Sequence, residues 1–284
     1  MTLTTVNLTP YIGSEIKADK KTLLSGGAVA AEIRSLLEQR GVLIARGIGF
    51  DDAEQVAFAK TLGVVRLGAV KTEGPEGIMK VTFDTKENPL YGDYSRGYFR
   101  GTFYWHVDGT YDEVPPLASI LTPRVLSPTG GQTEFASTYA AYEQLSQEDK
   151  TLIEELKVLH TIEAAHRLYD PNPDAETLKL WNSYPTRVRS LVWNHKSGRK
   201  SLGVGANCSQ IIGMDKALSG ALIDRLMKWT VQPQFVYQHH WEPGDMLIWD
   251  NTGTMHRVLA FDVKCGRRLH RVTLEGEEFR AESA

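Results

Sequence analysis

The residues best suited to chemistry lie in Trp105-His106-Val107-Asp108, where an imidazole and a carboxylate sit two positions apart. In an extended strand, side chains two apart share a face, so His106 and Asp108 present a nitrogen and an oxygen to one point. Alone, His-x-Asp is a weak signal, more often a surface histidine beside a turn-forming aspartate than a metal site. His256 adds weight. It follows the apolar run Met246–Asp250 and a turn through Asn251 to Thr254, and lies 148 residues beyond Asp108. Only the fold could bring it to the pair, as two strands of one barrel do. Two imidazoles and one carboxylate on a single face leave metal positions open, a donor set suited to non-haem Fe(II) and dioxygen chemistry.

A cationic element completes the set. Arg267 and Arg271 stand four apart, on one face of a strand. A guanidinium buried in a barrel requires an anionic partner, and its planar fork fits a carboxylate bidentately. The competing reading is a solvated basic edge strand. Thr133, in Gly130-Gly131-Gln132-Thr133, is placed to contribute a hydroxyl donor.

With these stretches the sequence resembles the taurine dioxygenase / 2,4-dichlorophenoxyacetate dioxygenase family of Fe(II)- and 2-oxoglutarate-dependent oxygenases. The resemblance runs from about Leu36 to Leu274. It rests on Trp105–Asp108, Ser127–Thr133, Gly244-Asp245 through Asn251, His256, and Arg267 to Arg271. It implies that His106, Asp108 and His256 ligate Fe(II). Arg267 and Thr133 then bind the distal carboxylate of the co-substrate 2-oxoglutarate, with O2 as the other co-substrate. Arg271 either holds an anionic group of the substrate or supports the co-substrate. Asp108 argues against halogenation, because halogenating relatives lack this carboxylate. The segment Ser197 to Met214 is closer to the aryloxyacetate branch than to the taurine branch. Residues 66–104 depart from the segment that binds substrate in taurine-cleaving members. Their aromatic content favours a larger, flatter substrate, with Lys71, Tyr91, Tyr94 and Tyr98 as candidate pocket residues.

The expected reaction is hydroxylation of a small, anionic, aromatic substrate of aryloxyalkanoate type, with ether cleavage where the attacked carbon bears oxygen. Alternatives are an alkyl sulfonate or sulfate ester dioxygenase, a natural-product or amino-acid oxygenase and, outside catalysis, a carboxylate-binding sensor on the same scaffold.

The remaining histidines read as structural. His160 and His195 sit in apolar strands, and His166 lies in an irregular stretch. His239 and His240 are adjacent in a strand and face opposite ways, as do His270 and Arg271. Cys208 and Cys265 lack a Cys or His at metal-binding spacing.

Positioning these groups requires several strands. Leu117–Thr122, Gln132–Ala136, Val158–Glu163, Val188–Asn194, Phe235–His240, Met246–Asp250 and Leu269–Leu274 read as strands bounded by Gly, Pro or polar clusters. Val42–Ala45 and Ile78–Phe83 precede them. Helices are expected around Val29–Leu37 and from Asp51 to Leu62, where Asp51 and Glu54 form a capping-box pattern. Two more are expected over Ser137–Leu156, broken near Ser146, and over Asp215–Trp229. The sum is a mainly β chain with helical decoration (α+β), specifically a double-stranded β-helix (jelly roll, cupin-like). Residues 1–284 read as one domain, with 84–104 as a substrate lid loop and 165–186 as an irregular insertion.

Composition bounds the rest. The chain has 284 residues, 32 Lys plus Arg against 35 Asp plus Glu, and two cysteines. No charge block suggests nucleic acid, no apolar run reaches a membrane-spanning length, and two cysteines make no disulfide framework. No signal-peptide pattern is read in Met1 to Pro10. A cytoplasmic enzyme for a small molecule is expected, with homo-oligomerisation open.

Overall fold

The computed structural model describes residues 3–67, 75–89 and 99–278. Its strands are β1 (Thr4–Asn7), β2 (Ser14–Lys17), β3 (Val42–Ala45), β4 (Met79–Thr82), β5 (Ala118–Val125), β6 (Thr133–Ser137), β7 (Lys157–His160) and β8 (Arg187–Ser190). The series continues through β9 (Val192–Asn194), β10 (Lys200–Leu202), β11 (Cys208–Ile211), β12 (Val236–His239), β13 (Met246–Asp250), β14 (Thr254–Val258) and β15 (Arg268–Thr273). Helices are α1 (Lys20–Leu24), α2 (Gly27–Arg40), α3 (Asp52–Leu62), α4 (Thr138–Glu143), α5 (Gln147–Ile153), α6 (Ile162–His166), α7 (Ala175–Trp181) and α8 (Lys216–Thr230).

Seven strands form one sheet in the order β1-β2-β3-β13-β5-β15-β4, antiparallel except for the β2–β3 pair. A second sheet has the order β12-β6-β14, a third β11-β7-β8, and β9 pairs with β10. The architecture is thus a mixed α/β arrangement rich in strands. Period-two alternation sorts the large sheet's side chains between two cores. Leu43, Ala45, Ile120, Ile248 and Val272 pack towards Val29, Ile33, Val56 and Phe58 of α2 and α3. Val42, Ile44, Leu121, Leu247, Trp249 and Leu269 pack on the other side, with Phe135 and Tyr237 of the second sheet. Covered on both faces, β3 and β13 are continuous apolar runs without alternation in their sequence.

Helix boundaries follow side-chain capping. Asp51 and Glu54 make the expected reciprocal capping box at α3. Ser137 and Ser146 cap α4 and α5, which explains the break in that helical run. Asp215 caps α8. Three expectations need correction. The strand expected over Val188–Asn194 is broken at Leu191 into β8 and β9, which belong to different sheets. The strand expected over Val158–Glu163 stops at His160, because Thr161 accepts from Ala164 N–H and starts α6. Within 165–186, expected to be irregular, Asp174 caps the helix α7 in the same way, despite the prolines at 171 and 173. No helix among the described residues is long and apolar enough to cross a membrane.

Candidate metal centre and its carboxylate-binding pocket

His106 and His256 are held together by backbone. They form an isolated antiparallel bridge, with His106 N–H donating to His256 O at 3.1 Å and His256 N–H to His106 O at 2.9 Å. On its other side β14 pairs with β6, which places His256 opposite Phe135. The turn between β13 and β14 is set by the Asp250 carboxylate, which accepts from the Thr252 amide at 2.7 Å and hydroxyl at 2.6 Å. Trp249, packed 4.9 Å from the His256 ring, fixes that ring's plane from below.

The three candidate donors converge. Ligand atoms of His106, Asp108 and His256 all lie within 4.8 Å of one another. His106 Nε2 is 3.8 Å from Asp108 Oδ1, and His256 Nε2 is 3.8 Å from Asp108 Oδ2. These gaps are too long for hydrogen bonds and short enough for one cation to span. The His106 Nδ1 lies 2.8 Å from Tyr104 O. A carbonyl can only accept, so Nδ1 carries the proton and Nε2 is left with a free lone pair. His256 is buried; burial, with His106 beside it, pushes its pKa down to about 3, which keeps it neutral as a ligand must be. Burial works against charge on Asp108 also, but the Arg271 guanidinium beside it outweighs that and holds the carboxyl at about 2. Two neutral imidazole nitrogens and an ionised oxygen fit a divalent iron ion.

These residues open onto a cavity of about 1260 Å³. Arg267 lies in its wall, 7% exposed, its Nη2 donating to Gly131 O at 3.1 Å and its guanidinium 4.9 Å from the Phe261 ring. Among the described residues no carboxylate pairs with it. Burial pulls its pKa down to about 10, so it stays charged at neutral pH and needs an anion. Thr133 lines the same cavity and accepts a 3.0 Å hydrogen bond from the Trp241 indole. Arg271 shares the face of Arg267, as expected. Its Nη1 donates to Asp108 Oδ2 at 2.9 Å and its Nη2 lies 3.0 Å from the Met79 sulfur. The basic strand is therefore a cavity wall, not a solvated edge. Lys71, Tyr91, Tyr94 and Tyr98 lie outside the described residues, as do residues 90–98 of the proposed lid. Of that lid, Phe99–Phe103 forms a 3₁₀ turn, and Phe103 stacks on Phe83 and tilts against Phe261.

No other histidine among the described residues joins the triad, although His166, at the end of α6, lines the same cavity. His160 and His195 are buried, and His270 points to the α3 side, with Nδ1 2.7 Å from Asp52. His239 is buried while His240 is exposed. Sequence reasoning missed Trp241 and Phe261. Nothing in their local pattern marks them, since Phe261 lines the cavity from the loop after β14 and Trp241 reaches Thr133 from beyond the end of β12.

Gly130 shapes the loop that carries the Gly131 carbonyl. It has φ +68°, and a Cβ there would meet Ala260 O at 2.1 Å. Gly130→Ala is expected to lower stability by about 2 kcal/mol or more, since the left-handed region alone costs an L-residue 1–2 kcal/mol. Urea denaturation measures the loss.

Comparison with known proteins agrees with this geometry. The family model described as "Taurine catabolism dioxygenase TauD, TfdA family" matches residues 4–273. The chain is 32% identical over 270 residues to the alpha-ketoglutarate-dependent 2,4-dichlorophenoxyacetate dioxygenase of Burkholderia sp. (strain RASC), covering 90% of each. It is 30% identical over 275 residues to the alpha-ketoglutarate-dependent sulfate ester dioxygenase of Pseudomonas putida, covering 94% of this chain and 87% of the relative. Among solved structures, AAD-2 in complex with Mn(II) and N-oxalylglycine is similar at a TM-score of 0.81 and 29% identity, covering 99% of this chain and 100% of that one.

Proposed function

The chain belongs to the TauD/TfdA family of dioxygenases, and from that premise we propose which of its residues act and on what substrate. It is a 2-oxoglutarate-dependent dioxygenase that uses Fe(II) and O2. His106 Nε2, Asp108 and His256 Nε2 hold the iron. When bound, the iron couples oxidative decarboxylation of 2-oxoglutarate to succinate with insertion of oxygen into a substrate C–H bond. Arg267 neutralises the distal carboxylate of 2-oxoglutarate, and the Thr133 hydroxyl donates to it. The observation that carries this reading is Arg267 itself, a buried cation lining the same cavity as the three donors and without a carboxylate partner among the described residues.

Arg271 binds the substrate's anionic end. Its Nη1 holds Asp108, whereas among the described residues its Nη2 meets the Met79 thioether, a weak acceptor that a carboxylate displaces. Apolar and aromatic walls from Val81, Phe83, Leu121, Trp181 and Phe261 exclude water and fit a planar ring. The substrate is accordingly a small aryloxyalkanoate, hydroxylated next to its ether oxygen so that the product collapses to a phenol. Tyr91, Tyr94 and Tyr98 of the lid over 84–104, and Lys71 of the segment before it, are proposed to complete the pocket. The chain is one catalytic domain in which the seven-stranded sheet and the β12-β6-β14 sheet form the two walls of a double-stranded β-helix. Its place is the cytoplasm.

A panel of phenoxyacetates, alkyl sulfates and taurine, with Fe(II), ascorbate and 2-oxoglutarate, tests the substrate. Succinate release is expected to be fastest with the phenoxyacetates, by about tenfold or more over taurine, because taurine leaves the aromatic wall unfilled. The 30% identity to the sulfate ester dioxygenase supports a second reading. Faster turnover of alkyl sulfates transfers the assignment to that chemistry.

A further inference from the structure

A threonine hydroxyl has one hydrogen to donate and two lone pairs, and its rotation is free unless a neighbour sets it. At Thr133 a neighbour does. The Trp241 indole, which can only donate, gives its N–H to Thr133 Oγ1 at 3.0 Å. That bond consumes a lone pair and turns the hydroxyl hydrogen away from Trp241. No acceptor for that hydrogen is present among the described residues, and Thr133 faces the cavity it shares with Arg267. The Thr133 backbone cannot drift, because β6 pairs on both sides, Thr133 lying opposite His239 and opposite Val258.

Trp241 is itself clamped. The His239 ring meets it edge-on, with centroids 4.4 Å apart. His239 is fully buried, with Nδ1 3.0 Å from the Tyr237 hydroxyl and Nε2 3.0 Å from Asp245 Oδ2. Asp245 accepts from Arg46 Nη1 at 2.6 Å and from the Glu242 amide at 2.9 Å. Charged contacts thus run from Arg46 through Asp245 to His239, whose ring packs edge-on against Trp241, the donor to Thr133.

We propose that Trp241, held by the His239–Asp245–Arg46 chain, is a positioning residue that aims the Thr133 hydroxyl at the distal carboxylate of 2-oxoglutarate. The inference rests on the reading of Thr133 and Arg267 as the co-substrate clamp. Trp241 touches no reacting atom; it acts through Thr133. Its effect must therefore vanish when that hydroxyl is absent.

The test is calorimetric titration of 2-oxoglutarate into the full-length protein loaded with Mn(II), which binds without turnover. Thr133→Val is expected to weaken binding by about tenfold, the worth of one hydrogen bond to a charged group. Trp241→Phe keeps an aromatic ring, removes the N–H, and is expected to weaken binding by about three- to tenfold with Mn(II) affinity unchanged. The double variant binds no more weakly than Thr133→Val alone. In turnover with Fe(II), Trp241→Phe raises KM for 2-oxoglutarate and leaves kcat at saturation within about twofold. Wild-type affinity in Trp241→Phe, or additive losses in the double variant, overturns the proposal while the clamp stands. Wild-type affinity in both Thr133→Val and Arg267→Met overturns the clamp itself.

Should Trp241→Phe not fold, the wild-type protein with Zn(II) supplies the same answer. One of its six indole N–H resonances is displaced by 2-oxoglutarate and is insensitive to it in Thr133→Val. No such resonance sinks the idea.

Discussion

Alanine at His106 or His256 reduces 2-oxoglutarate-coupled turnover to below about one thousandth of wild type. Losing an outer-sphere partner of a metal ligand already costs 10–100-fold, so losing a direct ligand must cost more. The defect is in the metal, not the fold. The bridge between the two residues is made by their main chains, which alanine retains. His106 is also only half-buried, so truncation opens little cavity. Calorimetry with Mn(II) separates the causes, since each variant must lose metal affinity while its far-ultraviolet spectrum and urea midpoint stay near wild type. His240→Ala, at an exposed position outside the site, serves as the control and keeps full activity. Asp108→Ala is expected to fail for two reasons, because it removes a donor and leaves Arg271 Nη1 without its carboxylate. If His106→Ala binds Mn(II) normally, or turns over at more than a few per cent of wild type, the triad is not the iron site.

Strand alternation pointed to His106 with Asp108 and Arg267 with Arg271 as same-face pairs. All four line one cavity, but His106 sits in an isolated bridge and Asp108 in the turn after it, and Arg267 precedes β15. Spacing could not show that His256 meets Asp108 across 148 residues; that required the family resemblance, and the fold supplies the backbone bridge. Elsewhere the sequence was silent for physical reasons. The hairpin of β1 and β2 lies at the sheet edge, where β1 is largely exposed and its residues need no apolar alternation. Helices α6 and α7 are too short for periodicity to declare them, and only their caps, Thr161 and Asp174, mark where they begin. Trp241 lies beyond the end of β12, so its contact with Thr133 depends on the register of β12 against β6, a tertiary fact. Function concentrates in the buried polar residues that the core tolerates only with partners, and those partners are distant in the chain.

Arg267 carries that principle furthest, and its replacement should move stability and function in opposite directions. A guanidinium 7% exposed, donating to one carbonyl, has lost its hydration without gaining a counter-charge among the described residues. Replacing such a group with a volume-matched apolar side chain is neutral or stabilising by about 1–4 kcal/mol. Arg267→Met is therefore expected to unfold at a higher urea concentration than wild type when 2-oxoglutarate is absent. In its presence the order reverses, because only the wild type gains RT ln(1 + [L]/Kd) from the ligand. KM for 2-oxoglutarate should rise by about a hundredfold or more, since breaking a buried, hydrogen-bonded charge pair costs about 3–5 kcal/mol. Arg267→Lys separates charge from shape. It keeps the cation but loses the planar fork, so its KM falls between those of wild type and Arg267→Met. If Arg267→Met is destabilised without ligand and keeps a wild-type KM, the guanidinium is a structural strut anchoring the Gly131 loop. A gain in stability together with the loss of 2-oxoglutarate binding means that the fold carries this buried charge for its co-substrate.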